Sequence, residues 1–203
     1  PVYAIPGNWD WSPEDPRDLD CMLLTRNYYP DLFEGLHNIV DVHLRGYTVE
    51  GLRVIGHGIT SGPEIPQSPK EQKVAPVSAA SLRRWYTQRF SRLKRLFAQS
   101  SQPVLFLSHN VPYNTSLDQI TDPHNPRHGL HFGSLIARKL IEEFQPPVCV
   151  GAHMHEHFGT CTLGKTVCIN AGFGGNVNTL LELSNSGKIL QLRFHPSSGE
   201  PSP

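Results

Sequence analysis

Neither sign of charge is in excess in this chain: 18 Lys and Arg balance 18 Asp and Glu over 203 residues. Such a balance leaves no global field to draw the protein onto nucleic acid or an anionic membrane. Charged residues of both signs are scarce, at 18% against a usual ~25%. No apolar run approaches the ~18 residues that span a bilayer, which argues against a transmembrane helix. No signal peptide stands at the start, although Pro1-Val2-Tyr3-Ala4-Ile5 reads as the middle of a strand rather than a natural beginning. The four cysteines (Cys21, Cys149, Cys161, Cys168) show no C-x-x-C pair and no dense disulfide framework. Cys149 and Cys168 lie in apolar, strand-like runs and read as buried free thiols, which fits a reducing, cytoplasmic setting. Internal repeats and a second domain are absent as well.

What is plentiful is proline (18), glycine (17) and histidine (11). The first two describe a loop-rich globular enzyme rather than a helical bundle. The histidines are many for this length.

Val2–Ile5 is a short apolar strand that runs into the turn Pro6-Gly7-Asn8-Trp9-Asp10. Residues 11–37 hold a Pro/Asp-rich loop and then an apolar, helical stretch near Cys21–Thr25. Ile39–Leu44 and Leu52–Ile55, joined by a Gly-containing link, predict a hairpin or meander. Gly62–Pro76 carries four prolines and reads as a loop. From Ser78 to Gln99 the period changes: Leu82, Trp85, Tyr86, Phe90, Leu93, Leu96 and Phe97 recur every three or four residues, which predicts an amphipathic helix with a core-facing stripe. Pro103–Leu107 is a buried strand ending at Ser108-His109-Asn110, followed by a long polar loop to His131. Gly133–Phe144 predicts a second helix, stopped by Pro146-Pro147. Val148–Val150 is another buried strand, ending in Gly151-Ala152-His153-Met154-His155-Glu156. Strands near Thr166–Asn170, Thr179–Leu183 and Lys188–Phe194 complete a domain over residues 1–195, and a Pro/Ser-rich tail over 196–203 reads as disordered.

Polar residues thus sit at the C-terminal ends of three apolar strands. This is the place where ligands bind in open α/β sheets. Asn8, His109 and the pair His153/His155 all occupy such positions. Taken singly, Asn8 is a turn residue, His109 a buried histidine and His153/His155 a pair of loop imidazoles. Together they are neutral N and O donors of the kind that borderline divalent metals take.

In this order the residues resemble the calcineurin-like metallophosphoesterases over essentially the whole chain. Gly7-Asn8-Trp9-Asp10 is similar to that family's Gly-Asn-His-Asp/Glu motif, and His109 of Leu107-Ser108-His109 to its later strand-end histidine. His153-Met154-His155 is similar to its Gly-His-x-His motif, and Asn170-Ala171-Gly172 to its Asn-x-Gly turn. The resemblance implies a four-layer α/β/β/α sandwich with two mixed sheets; composition and periodicity alone support only mixed α/β. It also implies two divalent metals (Mn, Fe, Zn or Ni), one held by Asn8, His109 and His153 and the other by His155. The implied reaction is hydrolysis of small phosphomonoesters or phosphodiesters by metal-activated hydroxide. A membrane partner is not expected, and a nucleic-acid substrate is disfavoured by the zero net charge.

The chain departs from the family pattern in two respects. The Asp-x-His and Gly-Asp motifs that precede Gly-Asn-His are not in this sequence, so a first βαβ unit of ~30 residues is expected to be missing and the chain to be an N-terminally truncated fragment. The second departure is Trp9, standing where many relatives carry a histidine able to act as general acid; indole offers no comparable proton. His128 and His131 are the candidate catalytic replacements, and Arg127, with its bidentate fork, and Asn114 the candidate substrate contacts. Asp10 and Glu156 stand beside ligands as candidates to orient imidazoles, and the strand-end His57 has a structural role as its simpler reading. The competing function is a phosphoesterase-fold interaction scaffold without catalysis, motivated by Trp9 and the absent motifs. The donor set within these 203 residues, three neutral ligands for one metal and one for the other, predicts weak or absent metal binding. Elemental mass spectrometry after metal loading checks this; two tightly bound equivalents per chain would overturn it.

Overall fold

The computed structural model describes residues 1–8, 10, 33–60, 62–67, 79–155 and 157–197. The helical stretch expected near Cys21–Thr25, the side chains of Trp9 and Glu156, and most of the final tail lie outside the described residues.

The chain order is β1 (Val2–Ala4), β2 (Ile39–Asp41), β3 (Gly46–Val49), β4 (Leu52–His57), α1 (Ala79–Ala98), β5 (Val104–Asn110), α2 (Leu135–Phe144), β6 (Val148–Ala152), β7 (Gly159–Leu163), β8 (Thr166–Asn170), β9 (Val177–Leu183) and β10 (Ile189–Pro196). Six strands form one mixed sheet in the order β3-β4-β5-β6-β8-β7, with a β1–β2 pair and a β9–β10 pair beside it. Pairing of β4, β5, β6 and β8 is parallel, and β3 and β7 close the edges antiparallel. The expected mixed α/β class is what is found. No helix of the described residues is long and apolar enough to cross a membrane.

The sequence alternation along β5 is read out directly: Val104, Phe106, Ser108 and Asn110 are buried, and the residues between them are half-buried. Phe106 lies in register with Ile55 on one side and Cys149 on the other. This row forms the core with Leu93 and Phe97 of α1 and Ile136, Ala137, Leu140 and Ile141 of α2. Phe97 meets Phe106 edge-on at 5.1 Å, and each such ring removed from water stabilises the fold by ~1.5–3 kcal/mol. All seven residues of the stripe expected on α1 are buried or half-buried, while Arg83, Arg84, Arg92, Lys94 and Arg95 are exposed. Val54, Val148 and Ile169 on the opposite sheet face are also buried, so the centre of the sheet is covered on both sides, as parallel strands require.

The hairpin expected between Ile39–Leu44 and Leu52–Ile55 is not the one that forms. Ile39–Asp41 pairs in parallel with Val2–Ala4, and it is Gly46–Val49 that folds back on Leu52–Ile55. The reason is local. Glu50 and Gly51 both take positive φ, +46° and +83°, the two-residue turn whose twist suits a hairpin, and it fixes the register one segment later than the apolar pattern suggests. β7 is a short edge strand that no periodic signal marks in the sequence, because its alternation has little apolar content. The last strand runs through Pro196, and Ser197 N–H donates to Asn176 O, so pairing continues past residue 195 into the segment read as tail.

A buried carboxylate ties the sheet to α2. Glu64 accepts hydrogen bonds from Leu135 N (2.7 Å), Ile136 N (3.3 Å) and the Ser134 hydroxyl, while Ser134 Oγ caps Ala137 N at 3.0 Å. The positive end of the helix dipole thus faces a negative charge, the favourable arrangement. At the other end, Gln145 takes a left-handed φ of +48° before Pro146-Pro147, which ends the helix where the prolines predict. Glu64 also meets His57 Nε2 at 3.4 Å, and both side chains are fully buried. Burial lowers the His57 pKa below 6.5, an effect that the Glu64 hydrogen bond and charge oppose and Arg89 reinforces. His43 is lowered further, by burial and then by Arg89, His57, Arg92 and Arg45; Gly58 N–H donates to its Nδ1.

A histidine whose folded pKa is depressed stays neutral in the fold but takes up a proton when unfolded below pH ~6.5. Stability from His43 and His57 is therefore present above pH 6.5 and lost as pH falls towards their folded values. Urea unfolding at pH 7.5, 6.5 and 5.5 is expected to give a progressively lower midpoint; a flat or rising trend would contradict the assignment.

Candidate functional site

The C-terminal ends of the parallel strands bring three chain segments to one place. Pro6–Asp10 turns sharply, with Asp10 Oδ2 accepting Gly7 N–H at 2.6 Å. Glycine at 58 lets β4 approach Pro6 so closely that a Cβ there would come within 2.4 Å of the Pro6 carbonyl oxygen. That contact, with Ile59 N donating to Pro6 O at 3.1 Å, seats the Asn8 turn against the sheet. Asp10, a candidate for orienting an imidazole, braces this turn.

Asn8 Oδ1 lies 2.9 Å from His109 Nε2, and Asn8 N–H points at the same nitrogen from 3.3 Å. His153 Nδ1 reaches it at 3.1 Å, with the two rings 4.8 Å apart and near-perpendicular at 63°. His109 stands near the end of β5 on the face away from Phe106. His153 directly follows β6 with φ +67°, a left-handed conformation that costs an L-residue ~1–3 kcal/mol and clusters at functional positions.

The loop carrying His153 is clamped from below by Asn170 at the end of β8. The Asn170 side chain is fully buried and donates to both Met154 O (2.9 Å) and His157 O (2.8 Å), while its Oδ1 accepts Gly172 N–H at 3.0 Å. His155 points elsewhere: its ring stacks on Phe173 at 4.5 Å and 24°.

Burial, reinforced by His153, His57 and His155, pushes the His109 pKa down to about 3, so its imidazole is neutral at physiological pH. A neutral ring has one proton for two nitrogens. Nε2 cannot at once accept from Asn8 N–H and donate to Asn8 Oδ1 and His153 Nδ1. What converges here is a set of lone pairs, one amide oxygen and two imidazole nitrogens, and this chemistry fits a borderline divalent cation. Among the described residues no group of three or more His, Cys, Asp or Glu is gathered to hold a metal; the cluster is two histidines and an amide.

The remaining sequence candidates lie in the 112–133 loop, organised around Asp118. This fully buried carboxylate accepts from Asn114 N (2.9 Å), Thr115 N (2.7 Å) and Gly133 N (2.8 Å), and contacts His131 Nδ1 at 2.8 Å. His131 is consequently oriented by a carboxylate. His128 Nδ1 instead contacts the Asp122 carbonyl within its own exposed loop at 3.1 Å. The Arg127 guanidinium lies over the Phe132 ring at 4.6 Å. Asn114 sits at φ +57°, with its carbonyl accepting from Arg138 Nη1, a backbone reason for an asparagine at that position.

Glu64 and Asp118 are the organising residues that sequence reasoning missed. Glu64 caps backbone N–H groups some 70 residues along the chain, Asp118 ties its own turn at Asn114 and Thr115 to Gly133, and neither belongs to a periodic pattern. For Asp118 a signal existed, since Asn114-Thr115-Ser116-Leu117-Asp118 has the composition of a side-chain-capped turn.

A family model described as calcineurin-like phosphoesterase matches residues 1–157. No curated protein matches the chain. Among solved structures, the protein TT1561 of Thermus thermophilus aligns with a TM-score of 0.52 at 18% identity, over 97% of this chain and 72% of its own. The phosphopantetheinyl hydrolase of Mycobacterium tuberculosis aligns with a TM-score of 0.52 at 14% identity, over 85% of this chain and 69% of its own. A further crystal structure aligns with a TM-score of 0.59 at 18% identity over 97% of this chain, which spans 65% of that protein's length. At such identities the likeness is one of fold.

Asn170→Ala leaves two loop carbonyls without their buried donor, which costs ~1–3 kcal/mol per unsatisfied group. The expected result is a lower unfolding midpoint together with faster proteolytic cleavage within residues 153–158. Wild-type protease resistance in the folded variant would show that Asn170 does not hold the loop.

Proposed function

The chain belongs to the calcineurin-like phosphoesterase family, and from that premise we propose that it is a metal-dependent phosphoesterase acting on small phosphomonoesters or phosphodiesters. The observation that carries this reading is the convergence of Asn8 Oδ1, His109 Nε2 and His153 Nδ1 within 2.9–3.1 Å contacts at the carboxyl ends of three strands. In this reading those three atoms hold one divalent cation and His155, turned towards Phe173, serves a second. Bound there, such cations would supply Lewis-acid chemistry at a phosphoryl group.

The protein's own side chains do the rest. Burial keeps His109 neutral, so its lone pair is available to a cation without first losing a proton. The left-handed backbone at His153 and the Asn170 clamp below it fix where that ring points, which limits the reorganisation needed when substrate arrives. With indole at position 9, His131 is the better proton donor of the two candidates. Its Nδ1 faces Asp118 and leaves Nε2 for the leaving-group oxygen, the arrangement in which a carboxylate fixes the tautomer of a catalytic imidazole. His128 lacks such an orienting carboxylate. Arg127 offers a phosphate-matching fork from the same loop.

The test is turnover of bis-p-nitrophenyl phosphate and p-nitrophenyl phosphate by the purified protein with Mn. Loss of a metal ligand is expected to reduce kcat/KM by on the order of 100-fold or more in His153→Ala. Turnover equal to wild type in that variant would reject the proposal.

A further inference from the structure

Three of the four cysteines form a row across adjacent strands. Cys149 of β6 is in register with Cys168 of β8, and Cys168 is directly opposite Cys161 of β7. All three are free thiols. Register partners share a face, so the row lies on the helix-covered side of the sheet, where Cys149 and Cys168 belong to the buried core and Cys161 packs against it from the edge strand. Position along the row sets access: Cys149 and Cys168 are fully buried, whereas Cys161 is half-exposed.

Directly opposed residues of an antiparallel pair have Cα atoms ~4.5 or ~5.5 Å apart, depending on the hydrogen-bonding position. Both values fall within the ~4.4–6.8 Å that a disulfide spans, so Cys161 and Cys168 meet its distance requirement without a shift of register. We propose that Cys161 and Cys168 are an oxidation site, converted by a peroxide-class oxidant into a reversible cross-strand disulfide.

The two thiols are not equivalent. A hydrogen bond from Cys168, and a further one from Thr115, draw the Cys161 pKa down to about 7 against the opposing effect of burial, whereas Cys168 and Cys149 are both raised. The thiolate is the reactive form, so Cys161 attacks first. Its sulfur takes one peroxide oxygen, the O–O bond breaks, and the departing alkoxide or hydroxide leaves protonated by the proton Cys161 gave up. Cys168 sulfur then attacks the Cys161 sulfenic acid, the S–S bond forms, and water leaves carrying the Cys168 proton. Two thiols are oxidised and one peroxide is reduced to an alcohol, or water, plus water. Cys149 lies on the far side of Cys168 from the edge and stays a thiol.

The placement gives the bond a reach into the candidate site. Cys168 stands two residues before Asn170, whose side chain clamps the His153 loop, and Cys161 stands two residues after Gly159, the register partner of Asn170. The disulfide would join β7, which follows that loop, to β8, whose Asn170 clamps it.

The experiment treats the folded full chain with hydrogen peroxide at neutral pH, alkylates free thiols, digests with trypsin and maps the peptides. Cleavage after Lys165 separates Cys161 from Cys168, and a second digestion with chymotrypsin, which cuts after Phe158, separates Cys149 from Cys161 in their shared tryptic peptide, so each possible disulfide appears as its own linked pair. The expected result is linkage of Cys161 to Cys168 with Cys149 alkylated, reversed by dithiothreitol. In Cys168→Ser, Cys161 is expected to be trapped by dimedone as the sulfenic acid, and in Cys161→Ser, Cys168 is expected to be recovered alkylated. Recovery of both thiols alkylated from the oxidised wild type would overturn the proposal. So would linkage through Cys149 or Cys21, or linkage that forms only in urea.

Discussion

The parallel hydrogen-bond ladder from β4 through β5 and β6 to β8 is the constraint on which the rest depends. Because these four strands run the same way and are held in register, their C-terminal ends reach one edge of the sheet together. Whatever polar residues the sequence places just after those strands must then share a volume. His109 and His153 are 44 residues apart and become neighbours for this reason alone. Asn8 joins them because the β1 segment is docked on β4 through a contact that only glycine at 58 permits.

Buried polar groups then hold the converging loops still. Glu64, Asp118 and Asn170 each take several backbone partners from a segment remote in sequence or from a loop with no strand of its own. In a low-dielectric interior such bonds are strong when complete, and each missing partner is expensive. The loops at the strand ends therefore owe their order to a few satisfied polar residues more than to packing. This division suits a site that must be rigid yet polar: the apolar face of the sheet supplies stability through α1 and α2, and the buried polar anchors supply position.

Legibility in the sequence followed the range of the interaction. The α1 stripe, the end of α2 at Pro146-Pro147 and the buried strands at Val104 and Val148 were readable, because helix and strand periods are local. The strand-end histidines were readable as candidates because polar residues closing apolar runs are a local pattern too. The hairpin around Glu50-Gly51 was misplaced by one segment, since the positive φ that directs it leaves only the glycine as a clue. Glu64 was invisible, lying in a proline-rich stretch 70 residues from the helix it caps. His131 looked like one loop histidine among several until Asp118 was seen to orient it.

By itself the sequence determined the fold class and the order in which donor residues occur at strand ends, because both follow from near-neighbour periodicity and from residue type. Only the tertiary structure decided which donors meet. It set Asn8, His109 and His153 around one nitrogen and turned His155 away onto Phe173. It also aligned three cysteines, scattered over 20 residues of chain, into a single row across three strands. The physical reason is the same in each case. Register and backbone conformation convert sequence separation into distance, and neither is carried by any single residue.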